Sequence, residues 1–132
     1  KKHINVSKML MLMNFVSDLL SPTPEVGNKK MDKVVALLGD VGGTNARLEL
    51  RECCPKTRTS RVLKKHSYGS QQTHRFYEIV DDFLREYRGT KHWPIGAVIG
   101  FAGPITDNAI KVTTNVSHWD EINGTTIREL FN

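Results

Sequence analysis

The strongest constraint on the fold is a change of hydrophobic period across one glycine-rich turn. Val34-Val35-Ala36-Leu37-Leu38 is a continuous apolar run that ends in Gly39. A run of that length suits a strand buried on both faces. Asp40-Val41-Gly42-Gly43-Thr44 follows, and then Ala46, Leu48 and Leu50 alternate with Asn45, Arg47, Glu49 and Arg51. That period of two marks a second strand with one buried face. The turn therefore belongs to a β-hairpin, which already narrows what it can bind.

Downstream, Arg61–Tyr68 reads as a third strand after a turn around Pro55. Phe76, Ile79, Val80, Phe83, Leu84 and Tyr87 recur at helical spacing, with Glu78, Asp81, Asp82 and Arg85 opposite. The spacing predicts an amphipathic helix, with Thr73 as N-cap and Gly89 as its stop. Ile95–Ala102 is a further buried strand ending in Gly103-Pro104, and Ala109–Thr113 is a short one. Thr126-Ile127-Arg128-Glu129 has the form of a capping box opening a last helix. The order is β-β-β-α-β-β-α, an α/β chain. At 132 residues this is one domain, or one domain plus an extension.

Residues 1–32 differ from the rest. Ile4, Val6, Met9, Leu10, Met13, Val16, Leu19 and Leu20 fall near helical spacing before Pro22 and Pro24, which predicts an amphipathic docking helix. Residues 21–32, rich in Pro, Gly, Asn and Lys, read as a linker. The basic start resembles a secretory signal, but Asn14 and Asp18 interrupt the apolar stretch and no convincing cleavage site follows. No apolar run reaches the roughly 18–20 residues of a membrane span, so no membrane partner is expected.

Composition bears on partners and compartment. The net charge is +5, and residues 51–75 hold seven basic groups and one acid, against five bases and eight acids in residues 76–132. Aromatic residues do not interleave with the basic block as a base-stacking platform requires. It reads as a solvated hairpin rather than a nucleic-acid site. Cys53 and Cys54 are adjacent, with no second pair to build a metal site or a disulfide framework. That favours a reducing, cytoplasmic compartment. The His residues are scattered without ligand spacing.

The turn carries the chemistry. Two glycines in a row permit positive φ and close approach of another group to the backbone. Successive N–H groups, with the Thr44 hydroxyl and the Asn45 amide, form the elements of an anion-binding nest. Asp40 is placed to hold a cation, directly or through water, as Mg²⁺ needs only one or two carboxylates plus phosphate oxygens. A Walker loop is excluded, because no Gly-Lys-Ser/Thr triplet occurs. The dinucleotide fingerprint is excluded too, because the spacing is G-x-x-G-G and a strand follows. A plain hairpin turn with no ligand remains the bland alternative.

The decapeptide from Gly39 to Leu48 resembles the phosphate-binding signature of glucokinases of the bacterial type, relatives of hexokinase, actin and the sugar kinases. Ala97-Val98-Ile99-Gly100-Phe101-Ala102-Gly103-Pro104-Ile105 resembles the family's cleft-lining strand and Gly/Pro turn. Thr113-Thr114-Asn115-Val116-Ser117-His118-Trp119 is similar to the Thr-Asn-x-x-Trp segment that follows.

The resemblance implies an actin-like ATPase (ribonuclease H-like) small domain: a mixed sheet with flanking helices over residues 33–132, truncated before a second lobe. Gly39, Asp40, Gly42, Gly43, Thr44 and Asn45 would hold ATP phosphates, with Asp40 near Mg²⁺ and Arg47 completing the signature. The implied reaction is phosphoryl transfer from ATP to glucose or a related hexose. The family's catalytic Asp lies in an Asn-Asp pair beyond the helix near Thr126, so no catalytic residue is expected within residues 1–132. Asp81, Asp82, Asp107 and Asp120 read as surface, turn or cap residues, and Trp93 and Trp119 as packing. Assembly is open, with a homodimer as one option, and organellar import is open as well. The alternative function is a non-catalytic sugar- or nucleotide-responsive module of the same superfamily.

Overall fold

The computed structural model describes residues 9–12, 33–70, 75–103, 105–110, 119 and 121–131. Among the described residues, seven strands form two sheets: β1 (Met9–Leu12), β2 (Val34–Val41), β3 (Asn45–Cys54), β4 (Thr59–Gly69), β5 (Ala97–Phe101), β6 (Ala109–Ile110) and β7 (Ile122–Asn123). The helices are α1 (Phe76–Leu84), continued by a 3₁₀ turn over Arg85–Tyr87, and α2 (Gly124–Glu129). The main sheet has the order β1-β5-β2-β3-β4, and β6 and β7 form a separate pair. β2 runs antiparallel to β3 and parallel to β5. The sheet is mixed, as the actin-like arrangement requires.

Alternation decides which face is buried. Val35, Leu37 and Val41 of β2, Ala46, Leu48 and Leu50 of β3, and Ala97, Ile99 and Phe101 of β5 are all buried. They meet the apolar stripe of α1: Phe76, Ile79, Val80, Phe83 and Leu84. Phe76 stands edge-on to Phe101, with ring centroids 5.3 Å apart, and 5.8 Å from Trp119. Trp119 is buried, and half-buried Trp93 packs against the core. Both tryptophans serve packing.

Several local expectations shift. Met9–Leu12, expected in a helix, is a strand paired antiparallel with β5, in register from Met9↔Phe101 to Leu12↔Val98. Four consecutive apolar residues carry no period of their own, and β5 otherwise ends the sheet as an unpaired edge. The rest of residues 1–32, and Thr73, lie outside the described residues. Arg75 occupies the N-cap position of α1, and its backbone N–H donates to the Glu78 carboxylate (3.0 Å). The last helix begins ahead of the predicted box: the Asn123 side chain accepts the Thr125 N–H (2.8 Å) and caps α2. Asn is among the strongest N-caps, and Asn123 enters with the extended backbone that a cap needs. Gly89 ends the first helical segment as expected, at φ +72°.

The C-terminal end of α1 lacks a basic residue of its own. Lys64 of β4 supplies one from across the sheet: its ammonium donates to the Phe83 carbonyl (2.8 Å), lies 5.0 Å from the Phe83 ring centroid and pairs with Glu86 (2.6 Å). A cation there satisfies a free carbonyl and opposes the helix dipole. Next along β4, the Tyr68 hydroxyl donates to Asp82 Oδ2 (3.1 Å). Burial first, and the Asp82 carboxylate second, push the Tyr68 hydroxyl up to about 12 from its usual 10. The folded state thus keeps a proton that the unfolded chain releases. The stabilisation is complete below pH 10 and is lost as pH rises from 10 to about 12. Tyr68→Phe is expected to flatten that part of the stability–pH curve in denaturant titrations. An unchanged slope would show that the hydroxyl is not the titrating group.

The basic block is largely neutralised. Glu52 pairs with Arg61 (2.9 Å) and Lys33 (3.1 Å), while Glu49 pairs with Arg51 and Lys65. These partners, Arg51 for Glu49 and Arg61 for Glu52 foremost, hold both carboxyls below the usual carboxylate range. β4 is an edge strand, and its register slips opposite Leu50/Arg51. A bulge and lysines on an exposed edge both oppose pairing with other chains.

Candidate functional site

The hairpin between β2 and β3 places the glycine turn at the carboxyl end of β2. β5, parallel to β2, ends beside it, and the Ala102 N–H donates to the Val41 carbonyl (3.0 Å). The first two motifs, separate in sequence, thus meet at the carboxyl ends of adjacent parallel strands. In α/β sheets that is where ligand crevices form. The third motif lies outside the described residues except for Trp119.

The turn is not closed by its glycines. Among the described residues only Gly89, Arg58, Asp107 and Asn108 have positive φ, so neither Gly42 nor Gly43 does. The Gly42 N–H donates to the Asn45 carbonyl (2.9 Å). A two-residue β-turn would return the Asn45 N–H to the Gly42 carbonyl; here that carbonyl accepts the Ser70 hydroxyl (2.9 Å). The Ser70 N–H donates to the Thr44 carbonyl (2.8 Å). Ser70 is fully buried at the end of β4. Three turn carbonyls, those of Gly42, Thr44 and Asn45, are tied inward. Among the described residues, the N–H groups of Gly43 and Thr44 have no acceptor.

Asp40 lies on the sheet face opposite the core, with 70% of its side chain exposed, and Arg47 Nη1 is 3.5 Å from its carboxylate. In register beside it on β5 is Gly100. A Cβ there would lie 3.8 Å from the Gly39 carbonyl, an ordinary contact, so packing does not demand this glycine. Its lack of a side chain keeps the flank of Asp40 open. A groove of about 240 Å³ runs along this face, lined by Leu38, Asp40, Arg47, Glu49 and Lys65 among others. A larger groove of about 530 Å³ lies by the end of α1, where Asp81 and Arg88 pair with each other.

The predicted site residues therefore divide. Gly42, Gly43, Thr44 and Asn45 form the turn, and Asp40 stands at its approach. Gly39 faces the core instead: a Cβ on it would lie 2.8 Å from Ile99 Cγ2 and 3.2 Å from Leu48 Cδ2. Arg47 reaches Asp40 rather than the turn. Asp81 and Asp82 are exposed, with Arg88 and Arg85 as partners. Asp107 lies in a two-residue turn, and Asp120 lies outside the described residues. No cluster of three or more metal-ligating side chains occurs among the described residues. A single exposed carboxylate beside free N–H groups fits Mg²⁺ held mainly by water and phosphate. Ser70 escaped sequence reasoning, and Gly100 entered it only as one residue of the second motif. No local pattern links Ser70 to a carbonyl 28 residues away.

The mixed sheet, with a glycine-rich hairpin at the carboxyl end of β2 and α1 against its buried face, is an actin-like α/β fold. A crystal structure of a glucokinase from an Antarctic psychrotroph superposes with a TM-score of 0.59 over 74% of this chain and 29% of that one, at 22% identity. That likeness speaks for the fold. The chain belongs to the glucokinase family: the Glucokinase family model matches residues 37–130. Glucokinases from two strains of Caulobacter vibrioides, NA1000/CB15N and ATCC 19089, are each 33% identical over 79 residues, 60% of this chain. The chain spans 23% of the length of those relatives. No helix among the described residues is long and apolar enough to cross a membrane.

Proposed function

We propose that the protein phosphorylates glucose, or a related hexose, with ATP, and that residues 33–132 supply the phosphate-binding small lobe. Residues 1–32 form an extension that lends Met9–Leu12 to the sheet edge. The observation that carries the reading is the turn itself, with carbonyls tied inward, two backbone N–H groups available and Asp40 exposed beside it. Gly42, Gly43, Thr44 and Asn45 would face the ATP phosphates, and Gly39 would act through packing. Asp40 would hold Mg²⁺ through water. When bound, that ion screens phosphate charge.

Phosphoryl transfer relies on positioning and charge stabilisation, with a carboxylate accepting the hydroxyl proton. We assign that carboxylate to no residue of this chain. The compartment proposed is the cytoplasm, and a homodimer remains one option for assembly. The test is a coupled ADP-release assay on the intact protein. Glucose-dependent, Mg²⁺-dependent ADP production is expected, and residues 1–132 alone should show negligible turnover. Robust turnover by those residues alone would refute the assignment, and an intact protein inert with every hexose and ATP would refute the kinase reading.

A further inference from the structure

A turn that binds phosphate must present N–H groups and keep its carbonyl oxygens away, since both phosphate and carbonyl oxygens are electron-rich. In this chain the turn does not arrange that polarity alone. From the structure we infer that Ser70 is a positioning residue for the phosphate-binding turn, holding its carbonyls inward so that the Gly43 and Thr44 N–H groups are left for the nucleotide. The inference rests on the reading of the turn as an ATP-phosphate site.

The argument has three parts. Ser70 is wholly buried, so each of its polar groups needs a partner inside the protein. Both donors go to the turn: the hydroxyl to the Gly42 carbonyl at 2.9 Å and the N–H to the Thr44 carbonyl at 2.8 Å. These are the carbonyls on either side of Gly43. With the Asn45 carbonyl held by the Gly42 N–H (2.9 Å), three of the four turn carbonyls are occupied internally.

The bond to Gly42 also replaces the one that would close an ordinary β-turn. Without the hydroxyl, the carbonyl of half-buried Gly42 would lack its donor. The simplest repair is for the turn to re-close on the Asn45 N–H, which changes the conformation of Gly43 and Thr44. The backbone bond from the Ser70 N–H survives substitution, so the sheet end should stay anchored while the turn relaxes. Ser70 touches no reacting atom. Its effect reaches the nucleotide only through the turn.

The experiment is steady-state kinetics of the intact protein carrying Ser70→Ala, Ser70→Thr or Ser70→Val. Thr and Val have the same shape, so their difference isolates the hydroxyl even if the extra methyl disturbs packing. Ser70→Ala is expected to raise KM for Mg·ATP about tenfold, the scale of one hydrogen bond, with KM for the hexose unchanged. Ser70→Thr should restore nucleotide KM relative to Ser70→Val. Equal nucleotide KM in the Thr and Val variants would overturn the inference, as would a loss that strikes both substrates alike. A wild-type protein that shows no Mg·ATP binding by calorimetry defeats the phosphate-site reading itself, and this inference with it. Wild-type binding that Ser70→Ala leaves unaltered defeats this inference alone.

Discussion

Replacing Asp40 by Ala in the intact protein is expected to lower kcat/KM for Mg·ATP by about 10–100-fold, the usual cost of losing a group that orients a metal's shell. The same change should hardly alter thermal stability. Asp40 is largely exposed, and its partner Arg47 is exposed as well, at 3.5 Å. Surface pairs of this kind contribute about 0–1 kcal/mol. The two readouts separate the roles. A kinetic loss without a stability loss marks a metal-orienting carboxylate; equal turnover at limiting Mg·ATP would leave Asp40 only its ion pair. Raising Mg²⁺ should recover part of the variant's activity, since the missing carboxylate weakens ion retention rather than the chemistry.

The second large effect concerns Gly39. Gly39→Ala is expected to destabilise the protein by about 1–3 kcal/mol, the range for overpacking a filled core. The added methyl would meet Ile99 Cγ2 at 2.8 Å, Ile99 Cγ1 at 3.1 Å and Leu48 Cδ2 at 3.2 Å. Ile99 and Leu48 are themselves buried, so neither has free space to move into. Relief requires β2 to separate from β5 or β3, at the root of the turn. Gly100→Ala on the opposite face is the control, because its Cβ meets nothing closer than 3.8 Å. Chemical denaturation of the two variants should separate them clearly. Comparable midpoints would show that the core around Gly39 yields more readily than its packing implies.

The contrast shows how far the glycines were legible. Gly39, Gly42 and Gly43 fall in one signature, so sequence reasoning assigns Gly39 to phosphate beside Gly42 and Gly43. The structure splits them by face: alternation along β2 turns Gly39 toward Ile99 and Leu48, and Asp40 outward. The period of two was visible, but its phase at Gly39 depended on extending β2 through Val41, beyond the apolar run. The Gly-Gly dipeptide misleads in another way. It suggests a primed turn with positive φ, yet the residues that adopt one are Asp107 and Asn108, at φ 51° and 58°. There the Thr106 and Ala109 backbones exchange both hydrogen bonds (3.0 and 2.9 Å), so the turn is closed locally. At Gly42–Asn45 a buried serine takes over half of that closure.

Sequence alone determined the succession from β2 through β5 and the last helix, though not β1 or β7, together with the apolar stripe of α1, the stop at Gly89, the position of the turn and the family resemblance. These are properties of residues near one another in the chain, where periodicity and φ preference act. Tertiary structure alone decided that Met9–Leu12 is a strand and that Lys64 caps α1. It also decided that the basic block is paired off by Glu49 and Glu52. Above all it decided the polarity of the turn. Hydrogen bonds are satisfied by whichever donor the fold brings within 3 Å, and the donor for Gly42 comes from the far end of β4. A short motif names the backbone that can bind phosphate; the packing around it sets which of its atoms face outward.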